Sequence, residues 1–342
     1  MATIKDVAAR AGVSIATVSR VLNHTGIYTR ETEKKVLHAV EDLGYRINLT
    51  AKSLKTGHTG TIGISLTQSC LMETPALIHS ALKVLQQQGF SVEIILDAPL
   101  EACVSLLKEG KHDGLLLIDM QRDEASLRRL MSTEYSFVLL GGETDREDVN
   151  LVEIDCFGGG YTATKNLIAA GHRDILFIED NTELPHTQEI KRGYLFALDE
   201  NGISYSEELL IRISGSNLEK ERAGYDAVRM GKQGPRYSAV LTTSDRIAFG
   251  VLSAARDSGI AVPEELSVTG FGNLPQSAYC TPGLTSVKAP YAQQGELGAE
   301  ILVNNIRRRD SIVKRVRLQT QMIERQTVAR KLRRTENDGE RG

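Results

Sequence analysis

The chain has 342 residues, 41% of them hydrophobic and 25% charged, with a formal net charge of −3 at pH 7. That length and apolar content support two or three packed units and exclude a disordered protein; the sequence has no run of 18 apolar residues for a membrane span, and its charged start MATIKDVAARAG is no secretion signal, so a cytoplasmic protein is expected. Residues 1–58 hold nine basic residues against five acidic, and the remainder 32 against 39, so the head is the part suited to meet a polyanion.

From Ile4 the apolar residues Ile4, Val7, Ala8 and Ala11 recur at helical spacing, with Thr3 as N-cap ahead of Asp6, and Gly12 stops the helix. Ser14 caps a second helix. Its Val18, Val21 and Leu22 form an apolar stripe, while Ile15, Ala16, Ser19, Arg20 and Asn23 form an opposite stripe that has no use as core. Two short helices joined by a glycine-containing turn predict a helix-turn-helix, whose second helix lies in the DNA major groove with its first residues at the base edges. Ile15 and Ala16 take those first positions, where apolar side chains meet thymine methyls instead of water. A third helix, Glu31 to Leu43, turns Val36, Leu37, Val40 and Leu43 inward, with Thr29 as cap and Gly44 as stop, and closes a three-helix core. A bundle that docks to protein is the competing reading, and it leaves Ile15, Ala16 and Arg20 without a role.

The words ATIKDVAARAGVSIATVSRVLN, KKVLHAVEDLGYRIN and AKSL resemble, without a gap from Thr3 to about Leu54, the DNA-binding head of the lactose/galactose-repressor (LacI/GalR) family of bacterial transcription regulators. The resemblance implies that Thr3, Ser14, Ile15, Ala16, Thr17, Ser19, Arg20, Asn23, His24 and Tyr45 face DNA. It also implies that Asn48 to Leu54 is a hinge helix that orders on the operator, pairs with its dimer mate and wedges a leucine into the minor groove. Asn48 matches the helix start, Ala51 the small position and Leu54 the wedge, while Lys52 and Lys55 reach phosphates. Alone, this stretch is too short and polar to hold a helix. The family usually carries Pro where this chain has Ile47, so a larger ordering on DNA binding is expected. An apolar-Ala pair followed by TVSR goes in the family with a CG step at the operator centre. The expected partners are therefore a pseudo-palindromic double-stranded operator with a central CpG and a second copy of the chain as a homodimer.

From Thr61 short apolar runs alternate with helical stretches: TIGISL, a helix over Pro75–Gln88, SVEIIL, a helix over 99–109, GLLLI, a helix over 123–131, and FVLLG. This βαβα order predicts a parallel sheet with helices on both faces. The pattern repeats through a helix from Gly158 to Ala170, DILFIED, a helix near 188–201, a strand near 209–213, a helix over 219–231, AVLTTS, a helix over 245–258 and LSVTGF. With Asp155 ahead of Gly159-Gly160, LIAAGHRDILFI, SDRIAFGVLSAARDSGIAVPEELSVTGFGN, PGLTSVKAP and ERQT, it resembles the type I periplasmic-binding-protein fold that the family uses as a sensor. The expected fold class is an all-α three-helix helix-turn-helix head plus an α/β periplasmic-binding-protein-like type I body of two doubly wound parallel-sheet subdomains. The expected divisions are a head over 1–46, a hinge helix and linker over 47–60, a two-lobed effector-binding and dimerisation domain over 61–330 that crosses between lobes near 140–160 and 288–292, and a polar tail over 331–342. That tail lacks heptad leucines, which favours a dimer over a coiled-coil tetramer.

An enzyme reading finds little support. Gly158-Gly159-Gly160 lacks the GxGxxG spacing and reads as close helix-to-strand packing, and GxSxG, GxxxxGK[ST] and HExxH are absent. Cys70, Cys103, Cys156 and Cys280 lie far apart and read as buried thiols, His172 reads as a helix-end residue, and neither cofactor nor metal is expected. Ligands of two-lobed folds sit at the carboxyl ends of strands. Sugar- and purine-sensing members offer an Asn-Pro-aromatic-aromatic turn, an Arg three residues before a mid-chain Gly, and an Asp after the GF strand. Here the corresponding residues are Thr74, Pro75, Ala76 and Leu77, then Ile190 before Gly193, then Gly272 and Asn273. His186, Lys191, Arg192, Ser244, Asp245 and Asn273 are the alternative grips, beside Thr74, Ala76, Leu77, Ile190 and Gly272 at the family positions. The resemblance implies a repressor whose operator binding responds to a small effector, a carbohydrate by family precedent; the alternative is a regulator with a non-sugar or lost effector response.

Overall fold

Thr3 and Asp6 open the first helix reciprocally: the Thr3 amide donates to the Asp6 carboxylate at 2.8 Å and the Thr3 hydroxyl does the same. The structure, a computed structural model, describes residues 2–22, 26–45, 58–68, 71, 74–118, 124–142, 144, 146–180, 184–213, 219–229, 237–308 and 312–331. It divides into two compact units, Met1–Gly60 and Thr61–Gly342.

In the first unit α1 (Ile4–Ala11) ends at Gly12, whose φ of 67° needs a residue without Cβ. Helix α2 (Ile15–Leu22) starts on Ser14, whose hydroxyl accepts the Thr17 amide at 3.1 Å, and α3 (Arg30–Asp42) starts on Thr29, which accepts the Thr32 amide at 3.2 Å. Val7, Ala8, Val18, Val21, Val36 and Ala39 form the buried core, with Val40 and Leu43 packed at its margin. Leu37, expected inside, is 47% exposed; Ala39 takes the inward position, because helical geometry turns residue 37 about 100° from Val36.

The second unit holds two six-stranded sheets. The first uses β1 (Thr61–Leu66), β2 (Ser91–Leu96), β3 (Gly114–Ile118), β4 (Ser136–Leu140), β5 (Leu151–Ile154) and β11 (Arg315–Leu318), in the order β11-β5-β4-β3-β1-β2 with every pairing parallel. The second uses β6 (Ile175–Asp180), β7 (Leu210–Ile213), β8 (Ala239–Thr242), β9 (Ser267–Gly272), β10 (Thr285–Lys288) and β12 (Gln321–Ile323), in the order β12-β10-β9-β8-β6-β7. Only its edge strand β12 runs antiparallel among these pairings. Central strands such as GLLLI and ILFIED are buried along their whole length, as strands covered on both faces must be. The covering helices of the first lobe are α4 (Pro75–Gln87), α5 (Leu100–Lys108), α6 (Glu124–Met131) and, late in the chain, α11 (Tyr291–Arg308). Those of the second lobe are α7 (Cys156–Ala169), α8 (Pro185–Glu200), α9 (Lys220–Arg229) and α10 (Asp245–Asp257). The chain passes between lobes three times: after Ile154, after Lys288 and between Leu318 and Gln321. The third passage was not anticipated from the sequence.

Among the described residues three helix pairs touch backbone to backbone, each through glycine. A Cβ on Gly160 of α7 would lie 2.2 Å from the Ile190 carbonyl oxygen of α8, one on Gly250 of α10 1.9 Å from the Glu221 oxygen of α9, and one on Gly295 of α11 2.1 Å from the Leu77 oxygen of α4. The glycine triplet therefore works in two directions. Gly159 admits Phe271 of β9, the helix-to-strand packing expected, while Gly160 admits a second helix.

Candidate functional site

Two surfaces carry the residues singled out above. On the head, α2 exposes Ile15, Ala16 and Arg20, with Thr17 and Ser19 half-buried beside them, and Thr3 and Ser14 stand exposed at two helix starts. Ile15 is 44% exposed and stands outside the buried core of the head. The aliphatic part of Arg20 lies over Gly26, where a Cβ would sit 3.4 Å from its Cδ. Tyr45 packs half-buried against the head core. Asn23, His24, Asn48, Ala51, Lys52, Leu54 and Lys55, like Cys70, fall outside the described residues.

In the body, a crevice between the lobes collects residues from both. Gly141, Gly142, Glu153, Ile154 and Arg317 come from strand ends of the first lobe, and Tyr291 and Gln294 from the first turn of α11. Cys156 comes from the start of α7, and Pro185, His186 and Glu189 from the first turn of α8. The enclosed space measures about 50 Å³. Gln294 donates through Nε2 to the Val152 carbonyl at 2.9 Å, which fixes α11 to β5 at the crevice floor. Arg317 lies 3.7 Å from Glu153 and 3.5 Å from Asp155, and the Asp155 carboxylate also accepts the Gly158 amide at 3.0 Å as the cap of α7. Glu189 pairs with Arg192.

Around this crevice the second lobe is held by buried polar networks. Asp180 at the end of β6 accepts from Lys220 at 2.6 Å, Thr187 at 3.0 Å and Thr243 at 3.2 Å. Burial pushes its carboxyl up, but Lys220, His186 and these hydrogen bonds outweigh that and hold it below the usual carboxylate range. Asp245 is fully buried and accepts from the Leu274 amide, the Ser277 hydroxyl and the Ser286 hydroxyl, each at 2.6 Å; burial dominates there and raises its pKa. Among the described residues no group of three or more His, Cys, Asp or Glu is placed to hold a metal ion, and no helix is long and apolar enough to cross a membrane.

A family model described as bacterial regulatory proteins, lacI family, matches residues 3–48, and one described as a periplasmic binding protein-like domain matches residues 164–328. The HTH-type transcriptional repressor PurR of Aliivibrio fischeri is 31% identical over 338 residues, covering 97% of this chain and 100% of that protein. The chain belongs to the LacI family. The HTH-type transcriptional regulator RegA of Clostridium saccharobutylicum is 34% identical to this LacI-family protein over 341 residues, 96% of this chain and 100% of the relative. The structure of the Lac repressor dimer bound to operator and the anti-inducer ONPF superposes with a TM-score of 0.82 at 24% identity, over 96% of this chain and 99% of that one. The transcriptional regulator CelR–cellobiose complex superposes at 0.70 with 28% identity, over 96% and 100%. This LacI-family protein is a DNA-binding transcriptional regulator, and its head and two-sheet body are those of the family.

The sequence candidates for the effector divide sharply in this regulator. His186 lines the crevice. Ile190 and Leu77 are not among the residues that line it: both side chains are buried in lobe cores, Ile190 at 0% and Leu77 at 1% exposure. Thr74 is buried at the start of α4, while Ala76 is exposed beside it. Lys191 turns into the second lobe to pair with the buried Glu179 at 3.0 Å, and Arg192 reaches outward to Glu189 and over the Phe157 ring. Ser244 caps α10, Asp245 fastens the loop after β9, and Asn273 accepts from Arg325 at 2.7 Å. Gly272, at φ 117°, leaves open the space toward Tyr291, whose ring would lie 4.0 Å from a Cβ there. Two other positions proved less simple than expected: Cys280 is half-exposed, whereas Cys103 and Cys156 are the buried thiols expected, and His172 is a buried tie between Ser238 and the Ala329 carbonyl. The sequence reading missed Glu153, Glu189, Tyr291, Gln294 and Arg317. Tyr291 follows directly on PGLTSVKAP and could have been found there; the others carry no local signal.

Proposed function

We propose that this protein is a repressor that binds, as a homodimer, a pseudo-palindromic operator with a central CpG, and releases or grips it according to a carbohydrate held in the crevice between its lobes. One observation carries the reading: an apolar Ile15-Ala16 pair left exposed at the start of α2, on the face that also presents Arg20, while the head's own core is complete without it. Apolar groups at the first turn of a recognition helix suit thymine methyls, and an Arg on the same face suits guanine. A single head contacts only a half-site, which favours a two-fold pair. Ile94 and Leu96 on the edge strand β2, and Tyr279 at 86% exposure, supply apolar surface for that pairing. The carbohydrate follows from the family resemblance, and the cellobiose of the CelR complex supports it. The protein acts in the cytoplasm, and we read it as a regulator with no catalytic step.

A second reading, a regulator with a non-sugar or lost effector response, draws on the core placement of Ile190 and Leu77 and on Gly272. The test is selection of bound duplexes from a random pool, followed by operator titration with sugars added. A palindrome centred on CpG whose affinity changes with a sugar is the expected result. Recovery of asymmetric sites without that centre overturns the operator assignment; an affinity unmoved by any sugar favours the second reading.

A further inference from the structure

We propose that the crevice takes an amino sugar, a carbohydrate bearing a primary ammonium, and turns away phosphorylated and carboxylated sugars; this rests on reading the crevice as the effector site. The charges of the crevice carry the assignment. Glu153 and Glu189 line the crevice and Asp155 stands beside them, three carboxylates in one confined space. Glu189 is 12% and Asp155 18% exposed, so neither is well solvated. The described arginines and lysines near them already face carboxylates, and the His186 imidazole lines the crevice as well. Arg317 is placed between Glu153 and Asp155 at 3.7 and 3.5 Å, beyond the range of a good N–H···O bond, so it neutralises part of their charge without saturating their oxygens. Arg192 serves Glu189 from the exposed side. Lys191 serves Glu179, and Lys220 serves Asp180.

A phosphate entering this crevice would meet the Glu153 and Glu189 carboxylates across a partly desolvated space, and drawing Arg317 or Arg192 toward itself would leave a carboxylate uncompensated. An ammonium instead adds the positive charge that three carboxylates facing two arginines lack, and its three donors suit carboxylate oxygens that Arg317 leaves available. Tyr291 lines the crevice and offers an aromatic side chain against which a sugar ring can pack.

The experiment is a thermal-shift titration of the full chain with three matched sets: glucose, glucosamine and glucose 6-phosphate, and the same trio built on galactose and on mannose. At least one amine member should raise Tm by about 5 °C at a hundredfold excess over its Kd, should bind about tenfold tighter than its neutral counterpart, and should outrank a phosphate that gives no shift. The double variant E153Q/E189Q, with its own unliganded melting transition confirming that it folds, should lose that tenfold preference. A neutral or phosphorylated sugar binding as tightly as its amine partner, or a preference that survives E153Q/E189Q, overturns the amino-sugar assignment and leaves the carbohydrate crevice standing. No shift from any of the nine sugars overturns both.

Discussion

Arg20 stands on the exposed face of α2 with its stem laid over Gly26, so the glycine in the loop before α3 helps set where the guanidinium points. We predict that Arg20→Ala, which removes the proposed bidentate contact to a guanine, costs about 1–3 kcal/mol of operator affinity and relaxes selection at one base pair, measured by anisotropy against single-base operator variants. His172 answers to a different variable. Burial between Ser238 and the Ala329 carbonyl lowers its pKa from the ordinary 6.5, so the folded protein holds it neutral while the unfolded chain protonates it. Stability is therefore full above about pH 6.5 and falls as the pH drops toward the lowered folded value. Melting curves at pH 7.5 and 5.5 should show a larger loss for the wild type than for His172→Gln, where the titration is absent. At this scale the sequence was informative for the head and poor for the crevice. Ile15 is legible because an apolar residue on a solvated helix face violates the helical pattern, whereas a charged residue at a strand end, such as Glu153 or Arg317, violates nothing.

Elements were read best where periodicity or continuous burial was strong. GLLLI and ILFIED are seen as strands because both faces are covered, and the helices over 75–87 and 245–257 because their apolar stripe is regular. RVRL and QMI, at or near sheet edges, are short and half-exposed, so their residues follow solvent as much as the ladder. Gly160 shows what propensity arguments cannot see. A glycine inside a helix is ordinarily a cost, and here it permits α7 and α8 to touch at backbone distance. Gly160→Ala sets a methyl against the Ile190 carbonyl oxygen, and we expect a loss of about 2–3 kcal/mol, seen as a lower urea midpoint. An unchanged midpoint would mean that the helices separate freely.

On the scale of the whole molecule, light scattering should give twice the chain mass without operator and that mass plus one duplex with it; four chains per particle would show that assembly extends beyond the two-fold pair that a palindrome requires. The crevice could not have been assembled from linear motifs, since its lining runs from Gly141 to Arg317 through separate strand ends and helix starts. The three passages between lobes bear on how such a protein can change over time. Residues 1–60 form one contiguous unit, so a single recombination event can give an intact body a new operator address. Neither lobe is contiguous: the second is inserted into the first, and both reappear in the last strands. An exchange at one point in the gene would split both cores. Lineages of this design are thus free to trade heads as modules, while a new effector has to be acquired by substitution, one crevice residue at a time.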